Sequence, residues 1–469
     1  MSDPGDTTPR DEAAPSGLYA VLSRVVDVRR DETRAMLMSA AFFFFVLSGY
    51  FVLRPIRDEI AVTAGTSKLP WLFTGTLIAT LICNPLFSAL VVRFPARKFI
   101  PITYHAIAGC LLAFYVVRRV VPSGAEASSA DVKVGIAFFV WTSAIALFVT
   151  SVFWCFMADV FRSEQAKRLF GFIGVGGTLG SLTGTAMTSL LVKSIGTSNL
   201  LLVSAVLFEL GVLVVRFFPT TSSAGRSEVR VIGGRARAID DDIERRVIGG
   251  SAWAGVRNLL ESPYLLGIAV FLILYTVGST ILYFQQSDIV GRYYANKAVR
   301  TQVLANIELG VQLLTVLTQA FFTGRIIRWI GLGAALAVMP ALSALGFAAL
   351  GAVPLLATVV AFTVLRRGSN FALTNPAMEA LFTVVSREDK YKAKSFIETF
   401  VYRGGDQIAA WTYAGLSALG LGLTGISYAA VPMCAAWLAL GVWLGRRQAS
   451  LAGAQSNVPL TGALEVKPA

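Results

Sequence analysis

Two arginines at the end of the first long apolar run are placed to bind an anion. The run ends F-V-L-R-P-I-R-D-E-I, so Arg54 and Arg57 lie three residues apart, with Pro55 between them. Two guanidinium groups at this spacing can clamp a phosphate or a carboxylate through paired hydrogen bonds. Proline removes a helical hydrogen bond and is expected to kink or break the helix, which would turn the arginines toward a central cavity. The alternative is that these are ordinary anchor charges at the outer membrane surface.

Three further arginines lie within later apolar runs. Arg366 and Arg367 fall near the centre of one run, and Arg403 falls within the next. Charged side chains at membrane depth are costly and usually functional. At least one of Arg366 and Arg367 is therefore predicted to line the cavity. The alternative is that a helix ends there, which would place that pair at the membrane surface.

Four acidic residues also lie at membrane depth. Asp406 follows Arg403 by three residues and can meet it on one helical face, while Glu398 precedes that arginine by five. These two carboxylates are predicted to hold the arginines in ion pairs or to take part in proton coupling or gating. Glu209 and Glu308 each stand alone among apolar residues. Each is predicted to be either a proton-carrying site or a packing residue. The first alternative follows because burial makes a carboxyl group hold its proton more readily.

A stripe of small residues predicts close helix packing. Gly176, Gly180 and Gly184 repeat every four residues and share one face of a helix. Such spacing lets two membrane helices approach backbone to backbone. A weaker copy of the pattern follows 227 residues later, where Gly404 matches Gly177. The chain is therefore predicted to contain two related halves that rock against each other, with the glycine stripe as the sliding contact.

The composition excludes most soluble proteins. Of the 469 residues, 55% are hydrophobic and 15% are charged, whereas soluble domains carry about a quarter charged residues. The net charge of +13 reflects basic residues at the ends of membrane segments, so no nucleic-acid partner is predicted. The sequence shows no catalytic constellation, metal-ligand cluster or cofactor motif, so neither an enzyme nor a cofactor is expected. The single histidine, His105, is interpreted as a structural residue, with a proton relay as the alternative.

Twelve apolar segments, each near the ~20 residues that a bilayer core requires, predict an all-α polytopic membrane protein. Six precede and six follow a long basic connection, which is the layout of the major facilitator superfamily. The segments are predicted at 36–54, 70–92, 99–117, 134–157, 169–192, 198–217, 263–284, 303–323, 329–351, 353–375, 394–417 and 424–445.

The predicted organisation has five parts. A cytoplasmic tail with an amphipathic helix, 1–33, precedes the first six-helix half, 34–217; a basic linker, 218–262, leads to the second half, 263–446, and a cytoplasmic tail, 447–469. With the N-terminus inside, the inner segments hold 28 of the 41 lysines and arginines and the outer loops hold 10. The positive-inside bias therefore places both termini in the cytoplasm and the protein in a bacterial inner membrane.

Four stretches of the sequence together carry a family resemblance. They are Y-F-V-L-R-P-I-R-D-E-I-A-V-T-A-G from Tyr50 to Gly65, F-W-C-F-M-A-D-V from Phe153 to Val160, E-Q-A-K-R-L-F-G-F-I-G-V-G-G from Glu164 to Gly177, and K-Y-K-A-K-S-F-I-E-T-F-V-Y-R-G-G-D from Lys390 to Asp406. These stretches resemble the nucleotide transporter family, the ATP/ADP translocases of plastids and intracellular bacteria, which is related to the major facilitator fold. The resemblance implies a transporter built from twelve membrane helices.

The family's charged positions are only partly matched. Arg57 stands where the family has a basic residue that takes part in nucleotide transport. The family's acidic residues in the fourth and seventh helices fall within 141–143 and 278–282, which hold no acid, and its lysine in the eleventh helix falls on Asp406. One of four positions keeps its sign, so the resemblance implies the fold and the transporter class of a divergent branch and leaves the substrate open.

Two functions are compatible with the sequence. The first is a secondary transporter that moves an organic anion, such as a nucleotide or a phosphorylated metabolite, by alternating access. Its partners would be that small anion and the lipid bilayer, with the oligomeric state left open. The second is a non-transporting membrane protein with a lipid-handling, sensor or assembly role, whose basic loop docks anionic lipid or a partner. Arginines at membrane depth favour the first.

Overall fold

The computed structural model describes residues 27–94, 96–120, 129–161, 163–218, 259–321, 323–385, 394 and 396–456. Within these ranges the chain forms helices and turns and no β-strand, so the backbone groups satisfy one another as a bilayer requires. Seven helices of the described part are long and apolar enough to cross a membrane. The predicted amphipathic helix of the N-terminal tail, most of the basic linker and the end of the C-terminal tail lie outside the described residues.

The helices before the linker form the first group. They are α1 (Arg30–Ala64), α2 (Leu69–Arg93), α3 (Ala96–Val120), α4 (Ser129–Val160) and α5 (Ser163–Arg216).

A break within α5 reverses the chain at Gly196. This residue has a φ of 78°, a conformation that glycine adopts without steric cost. The part of α5 before it follows α1 in the same direction, whereas the part after it runs back along α1: Ser204 donates a hydrogen bond to the carbonyl of Gly49, and Gly211 lies against Val46. Two of the predicted segments therefore meet at this glycine.

The helices after the linker form the second group. They are α6 (Pro263–Tyr293), α7 (Lys297–Phe321), α8 (Thr323–Ala352, broken at Gly331), α9 (Leu356–Ser369), α10 (Asn375–Leu381), α11 (Tyr402–Ala418) and α12 (Leu423–Ser456). A π-helix, Asn370–Thr374, joins α9 to α10, a 3-10 turn, Phe382–Val384, follows α10, and a second π-helix, Ile397–Val401, precedes α11.

Several helix boundaries differ from the sequence prediction. The first helix was expected to end at residue 54, yet α1 continues through Pro55 to Ala64. Of the expected kink or break at this proline, the break is therefore wrong, because the loss of one backbone hydrogen bond is absorbed within a long, well-packed helix. At the other terminus α12 continues to Ser456, beyond the predicted boundary at 446. The count of twelve membrane helices stays a prediction.

The two ends of the bundle can be told apart by their contacts. Val62, near the end of α1, packs with Val290, near the end of α6, so these helices run in the same direction. Arg168, near the start of α5, pairs with Glu32 at the start of α1. We call the end where α1, α5 and α6 begin the proximal end, and the opposite end, where α1 and α6 finish, the distal end.

The glycine stripe lies against the backbone of α1. A Cβ atom on Gly176, Gly180 or Gly184 would collide with a carbonyl group of that helix, so only glycine fits. The hydroxyl of Ser48 donates a hydrogen bond to the carbonyl of Gly180 across the same contact, at 3.0 Å. The stripe thus packs two helices of the first group together, so the predicted sliding contact is corrected to a packing contact within one half. The three facing carbonyls belong to Ala40, Phe44 and Ser48.

Candidate functional site

A cavity of about 740 Å³ lies between the two groups of helices. Its walls come from α1, α2 and α4 on one side and from α6 and α9 to α11 on the other. This volume is within the range of small-molecule sites, about 300–1,000 Å³. The lining extends from the level of Asp58 and Gln286 to Glu379, whose side chain is 61% exposed, so the cavity reaches the surface at the proximal end.

Positive charge dominates the lining of this cavity. All five arginines singled out in the sequence line it, and the carboxylates that line it in the described part of the chain are those of Asp58, Glu379 and Asp406. The continuation of α1 past its predicted end places its two arginines inside the bundle instead of at a solvated helix end. The arginines are Arg54 and Arg57 from α1, Arg366 and Arg367 from α9, and Arg403 from α11.

Glu308 joins arginines from both groups. Its carboxylate, on α7 and 3% exposed, accepts from Arg54 at 3.1 Å and from Arg367 at 2.6 and 3.1 Å. Gln312 donates a further hydrogen bond to it at 3.2 Å. The sequence placed this glutamate alone among apolar residues, and the structure gives it two cationic partners. Because both guanidinium groups stabilise its ionised form, the carboxylate is a counter-ion that ties α1 to α9.

Arg57 is also held by a carboxylate. Its Nη2 and Nε lie 2.6 and 3.0 Å from Oδ1 of Asp58, and its guanidinium lies 5.7 Å from the centre of the Phe139 ring. The hydroxyl of Tyr283, on α6, donates to the same oxygen of Asp58 at 3.0 Å. This second cluster therefore also connects the two groups of helices.

Arg366 is buried among neutral acceptors. It is 2% exposed and donates to the hydroxyls of Ser343 and Ser279 at 3.0 and 2.7 Å and to the carbonyl of Tyr275 at 3.0 Å. The ring of Tyr275 also faces its guanidinium at 5.2 Å, a favourable cation–π contact. Within the described residues it has no carboxylate partner, so it contributes net positive charge to the cavity.

Arg403 has the loosest contacts of the five. Among the described residues, the nearest carboxylate oxygen is on Asp406, 3.9 Å from its Nη1 and beyond hydrogen-bonding distance. Asp406 itself accepts a hydrogen bond from Thr280 at 3.2 Å. Glu398, the other predicted partner, belongs to the π-helix Ile397–Val401, and its side chain lies outside the described part of the structure.

Both π-helices of the described chain border the cavity beside its arginines. One begins three residues after Arg367, and the other ends two residues before Arg403. The first contributes Asn370 and Thr374 to the lining, and the hydroxyl of Thr374 is buried without a hydrogen-bond partner among the described residues. Short π-helical insertions in α-helices are frequent at functional sites. The sequence analysis missed them, since five residues are too few to change a helical periodicity visibly.

Glu209 lies away from the cavity. Its carboxylate is 2.8 Å from Nδ1 of His105, and the two side chains are 44% and 56% exposed on the outer face formed by α3 and α5. The structure thus brings these two sequence-predicted residues together but does not bring them to the arginines. The sequence shows how deep a residue lies along a helix and not which face it occupies.

Ion pairs close the distal end of the cavity. Arg300, at the start of α7, donates to Glu59 and to Thr63 of α1, both at 2.8 Å. Lys297 pairs with Asp131 of α4 at 2.9 Å. These contacts join the first group to the second, so the described structure is closed at the distal end and open at the proximal end. Each partner alone resembles a helix-end charge, which is why the sequence analysis passed over them.

Comparison with known proteins agrees with this architecture. A family model described as Major Facilitator Superfamily matches residues 35–405. The chain is 21% identical to ADP,ATP carrier protein 2 of Chlamydia pneumoniae, over 87% of this chain and 88% of that protein. It is 20% identical to ADP,ATP carrier protein 1 of Chlamydia trachomatis serovar D, over 83% of each. These matches confirm the resemblance seen in the four sequence stretches.

Solved structures show the same fold. The nucleoside transporter NupG aligns with a TM-score of 0.54 at 14% identity, covering 90% of this chain and 99% of that one. A POT family transporter in complex with 5-aminolevulinic acid aligns with a TM-score of 0.58 at 12% identity, covering 89% and 96%. The described helices, the central cavity and the family match together show that this multi-pass membrane protein belongs to the Major Facilitator Superfamily.

Proposed function

We propose that the protein is a secondary transporter that moves an organic anion by alternating access between two six-helix halves, 34–217 and 263–446. One observation carries this proposal: among the described residues, five arginines and three carboxylates line a single cavity between the two groups of helices. A cavity with excess positive charge and low-dielectric walls attracts and concentrates anions. Charges this deep in a membrane protein are costly without such a role.

The cross-links between the groups suggest how binding is coupled to movement. Glu308 is shared by Arg54 of the first group and Arg367 of the second. An anion that binds either arginine competes with this carboxylate and so weakens a link between the groups. Closure at the distal end and opening at the proximal end make the described state one of two alternating forms. By the distribution of positive charge, the proximal end is the cytoplasmic one, in a bacterial inner membrane.

A nucleotide or a phosphorylated metabolite is the favoured substrate class. Guanidinium groups bind phosphate in a bidentate manner, and Arg57 stands where the related family has a basic residue. Aromatic side chains that can stack on a planar ring also line the cavity, among them Phe73, Phe139 and Tyr283. The curated relatives carry ADP and ATP in their names, which supports the same class.

The test is uptake into proteoliposomes. Purified protein would be reconstituted and offered labelled nucleotides, sugar phosphates, carboxylates and amino acids, with the wild type compared to Arg367→Gln. Removing one partner of a buried ion pair costs several kcal/mol, so uptake of the transported anion should fall about tenfold or more. Arg292→Gln is the matched control, because that arginine is 69% exposed and outside the cavity lining.

Two results would contradict the proposal. Equal uptake by Arg367→Gln and Arg292→Gln, at equal amounts of folded protein, would remove the cavity arginines from the mechanism. Failure of the wild type to take up any compound of the panel, in vesicles that hold a pH gradient, would favour the non-transporting alternative.

A further inference from the structure

We propose that the outer face formed by α3 and α5 is the surface through which two copies of this protein associate in the membrane, with His105 and Glu209 at its centre. The two side chains form a pair in which Nδ1 of the ring lies 2.8 Å from Oε1 of the carboxyl group, outside the cavity lining. The inference goes beyond the proposed transport function, because it concerns the outside of the bundle and holds whatever the cavity carries.

The pair lies within the hydrocarbon layer. His105 follows Lys98 by seven residues on α3, and both helices of the pair belong to the candidate membrane spans. Glu209 precedes Arg216 by seven residues on α5. Both members of the pair therefore lie about 10 Å inside the exposed basic residues that mark the proximal membrane surface. Histidine and glutamate side chains are too short to reach back over that distance, unlike lysine and arginine near a helix end.

The surroundings of the pair on this face are apolar. The side chains of His105 and Glu209 are 56% and 44% exposed. Ile102 and Val206, about one turn before the histidine and the glutamate, are exposed as well, and so is Leu213, one turn after the glutamate. Polar groups that meet hydrocarbon without hydrogen-bond partners cost several kcal/mol each. The exposed pair is therefore stabilised by a polar partner that covers it from outside.

The chemistry of the pair defines that partner. A net charge on this face is costly in hydrocarbon, so the pair holds the two protons that make it neutral, as histidine with glutamic acid or as imidazolium with carboxylate. One proton lies between Nδ1 and Oε1. The other lies on Nε2 of the ring or on Oε2 of the carboxyl group, and whichever of these atoms lacks it is an acceptor. The pair thus offers one donor and one acceptor to a partner.

A second copy of the same surface satisfies both groups. With a two-fold axis along the membrane normal beside the pair, the donor of each copy faces the acceptor of the other, which gives two reciprocal hydrogen bonds. Lipid headgroups stay about 10 Å away from the pair. The basic linker that follows α5 carries seven arginines, and such charges would be costly at this depth. The self-complementary pair therefore favours a second copy over a lipid headgroup or a segment of the same chain.

The neighbouring positions of α3 leave room for a second copy to come close. Gly109 and Ala113 follow His105 by about one and two turns on the same face of the helix, and both are exposed. A Cβ atom on Gly109 would meet no atom within 4 Å. Small residues let two membrane helices approach closely, which is what hydrogen bonds between short polar side chains require.

The experiment counts subunits in lipid vesicles. Purified full-length protein with one fluorophore at its C-terminus would be reconstituted over a wide range of protein-to-lipid ratios, and photobleaching steps would be counted in single vesicles beside a monomeric reference protein. The proteins are the wild type, the double variant His105→Leu with Glu209→Leu, and the matched control Glu209→Gln. The double variant removes the donor and the acceptor. The control keeps both, because a glutamine amide contains a donor and an acceptor.

The wild type should form dimers whose fraction falls as the protein is diluted in lipid. In the double variant the dimer affinity should fall about tenfold, the loss expected for two interhelical hydrogen bonds in a membrane. Glu209→Gln should dimerise like the wild type. All of these readouts are independent of transport, so the proposed function stands or fails separately.

Cross-linking locates the contact without altering the pair. With the four native cysteines replaced by serine, Gly109→Cys should give cross-linked dimers with a short bifunctional maleimide in the same vesicles. Leu345→Cys is the matched control, because that leucine is 73% exposed on α8 in the second group of helices. This measurement decides the question if the double variant fails to fold.

Four results would overturn the inference. A wild type that bleaches like the monomeric reference at every ratio shows that no second copy covers the pair. Equal dimer affinity in the wild type and the double variant removes the pair from the interface, and a Glu209→Gln variant as weak as the double variant excludes the reciprocal hydrogen bonds. Cross-linking of Gly109→Cys that is no stronger than that of Leu345→Cys excludes this face as the contact.

Discussion

Under the predicted 227-residue repeat, the contact between α1 and α5 corresponds to the contact between α6 and α11, but the two contacts are built differently. In the first, three glycines at four-residue spacing lie against backbone carbonyls. In the second, a single glycine, Gly405, faces the side chain of Thr276. The helix on which it lies carries Arg403 and Asp406 and follows a π-helix.

The difference separates rigid packing from a contact that can change. Backbone-to-backbone packing has no side chain that can rotate away, so α1 and α5 should move as one body. In the second group a side chain and a loosely held charge pair fill the equivalent place, and the π-helix Ile397–Val401 adjoins it. We therefore expect substitutions in the first contact to affect folding and substitutions in the second to affect binding.

The largest effect is expected for Gly180→Ala. The added Cβ would enter the backbone of Phe44, which can be relieved only if α1 moves away from α5. Overpacking costs typically 1–3 kcal/mol and occasionally more, and a backbone clash belongs at the upper end, about 3 kcal/mol. Thermal unfolding in detergent should show a clearly lower Tm. Gly404→Ala is the matched control, since its Cβ would meet no atom within 4 Å, and an equal loss in both variants would contradict the comparison.

The next effect is expected for Glu308→Gln, measured as uptake into proteoliposomes. This change leaves Arg54 and Arg367 without their shared counter-ion, and uptake should fall about tenfold or more, because buried charges left unpaired cost several kcal/mol. Glu209→Gln is the matched control on the outer face of the bundle, where the side chain is 44% exposed. Its uptake should stay within about twofold of the wild type, the small effect typical of an exposed pair. Equal losses of uptake in the two variants would show that uptake depends on any acidic side chain in the membrane region and not specifically on the one that pairs with the cavity arginines.

A smaller effect on stability is expected for Gly405→Ala. Here the added Cβ meets mainly the hydroxyl of Thr276, which can rotate, so the cost should be about 1 kcal/mol, at the lower end of the overpacking range. Its Tm should lie between those of Gly180→Ala and Gly404→Ala. A Tm at or below that of Gly180→Ala would show that the second contact is as rigid as the first.

The cavity arginines could be predicted from the sequence, because charged residues at membrane depth are conspicuous among apolar residues. All five line the cavity. Their ion-pair partners could not be predicted. Glu308 contacts Arg54 and Arg367 from a third helix, and no local sequence pattern indicates such a contact. For the same reason Glu209 was grouped with the coupling residues, although it occupies the outer face beside His105.

The helices were predicted in outline and their interruptions were not. Long apolar runs locate membrane helices well. The chain reverses at Gly196, whose positive φ a sequence does not reveal, and passes through Pro55, where a break was expected. Tertiary packing decides both cases, since it can hold a helix together at a proline and can use a glycine to turn back along a neighbour.

The central claim is that one cavity, closed at the distal end and open at the proximal end, serves the transported anion. It is tested most directly by labelling a single cysteine at Ser143, a cavity residue on α4, with a membrane-impermeant maleimide added to either side of oriented vesicles. The native cysteines would first be replaced by serine. They are Cys83, Cys110, Cys155 and Cys434.

We predict reaction from the proximal side, where α1 begins, and protection from the distal side. Arg300→Gln, which removes the ion pair with Glu59, should add reaction from the distal side. Reaction from the distal side in the otherwise unaltered protein, or an Arg300→Gln variant that stays protected there, would contradict the account.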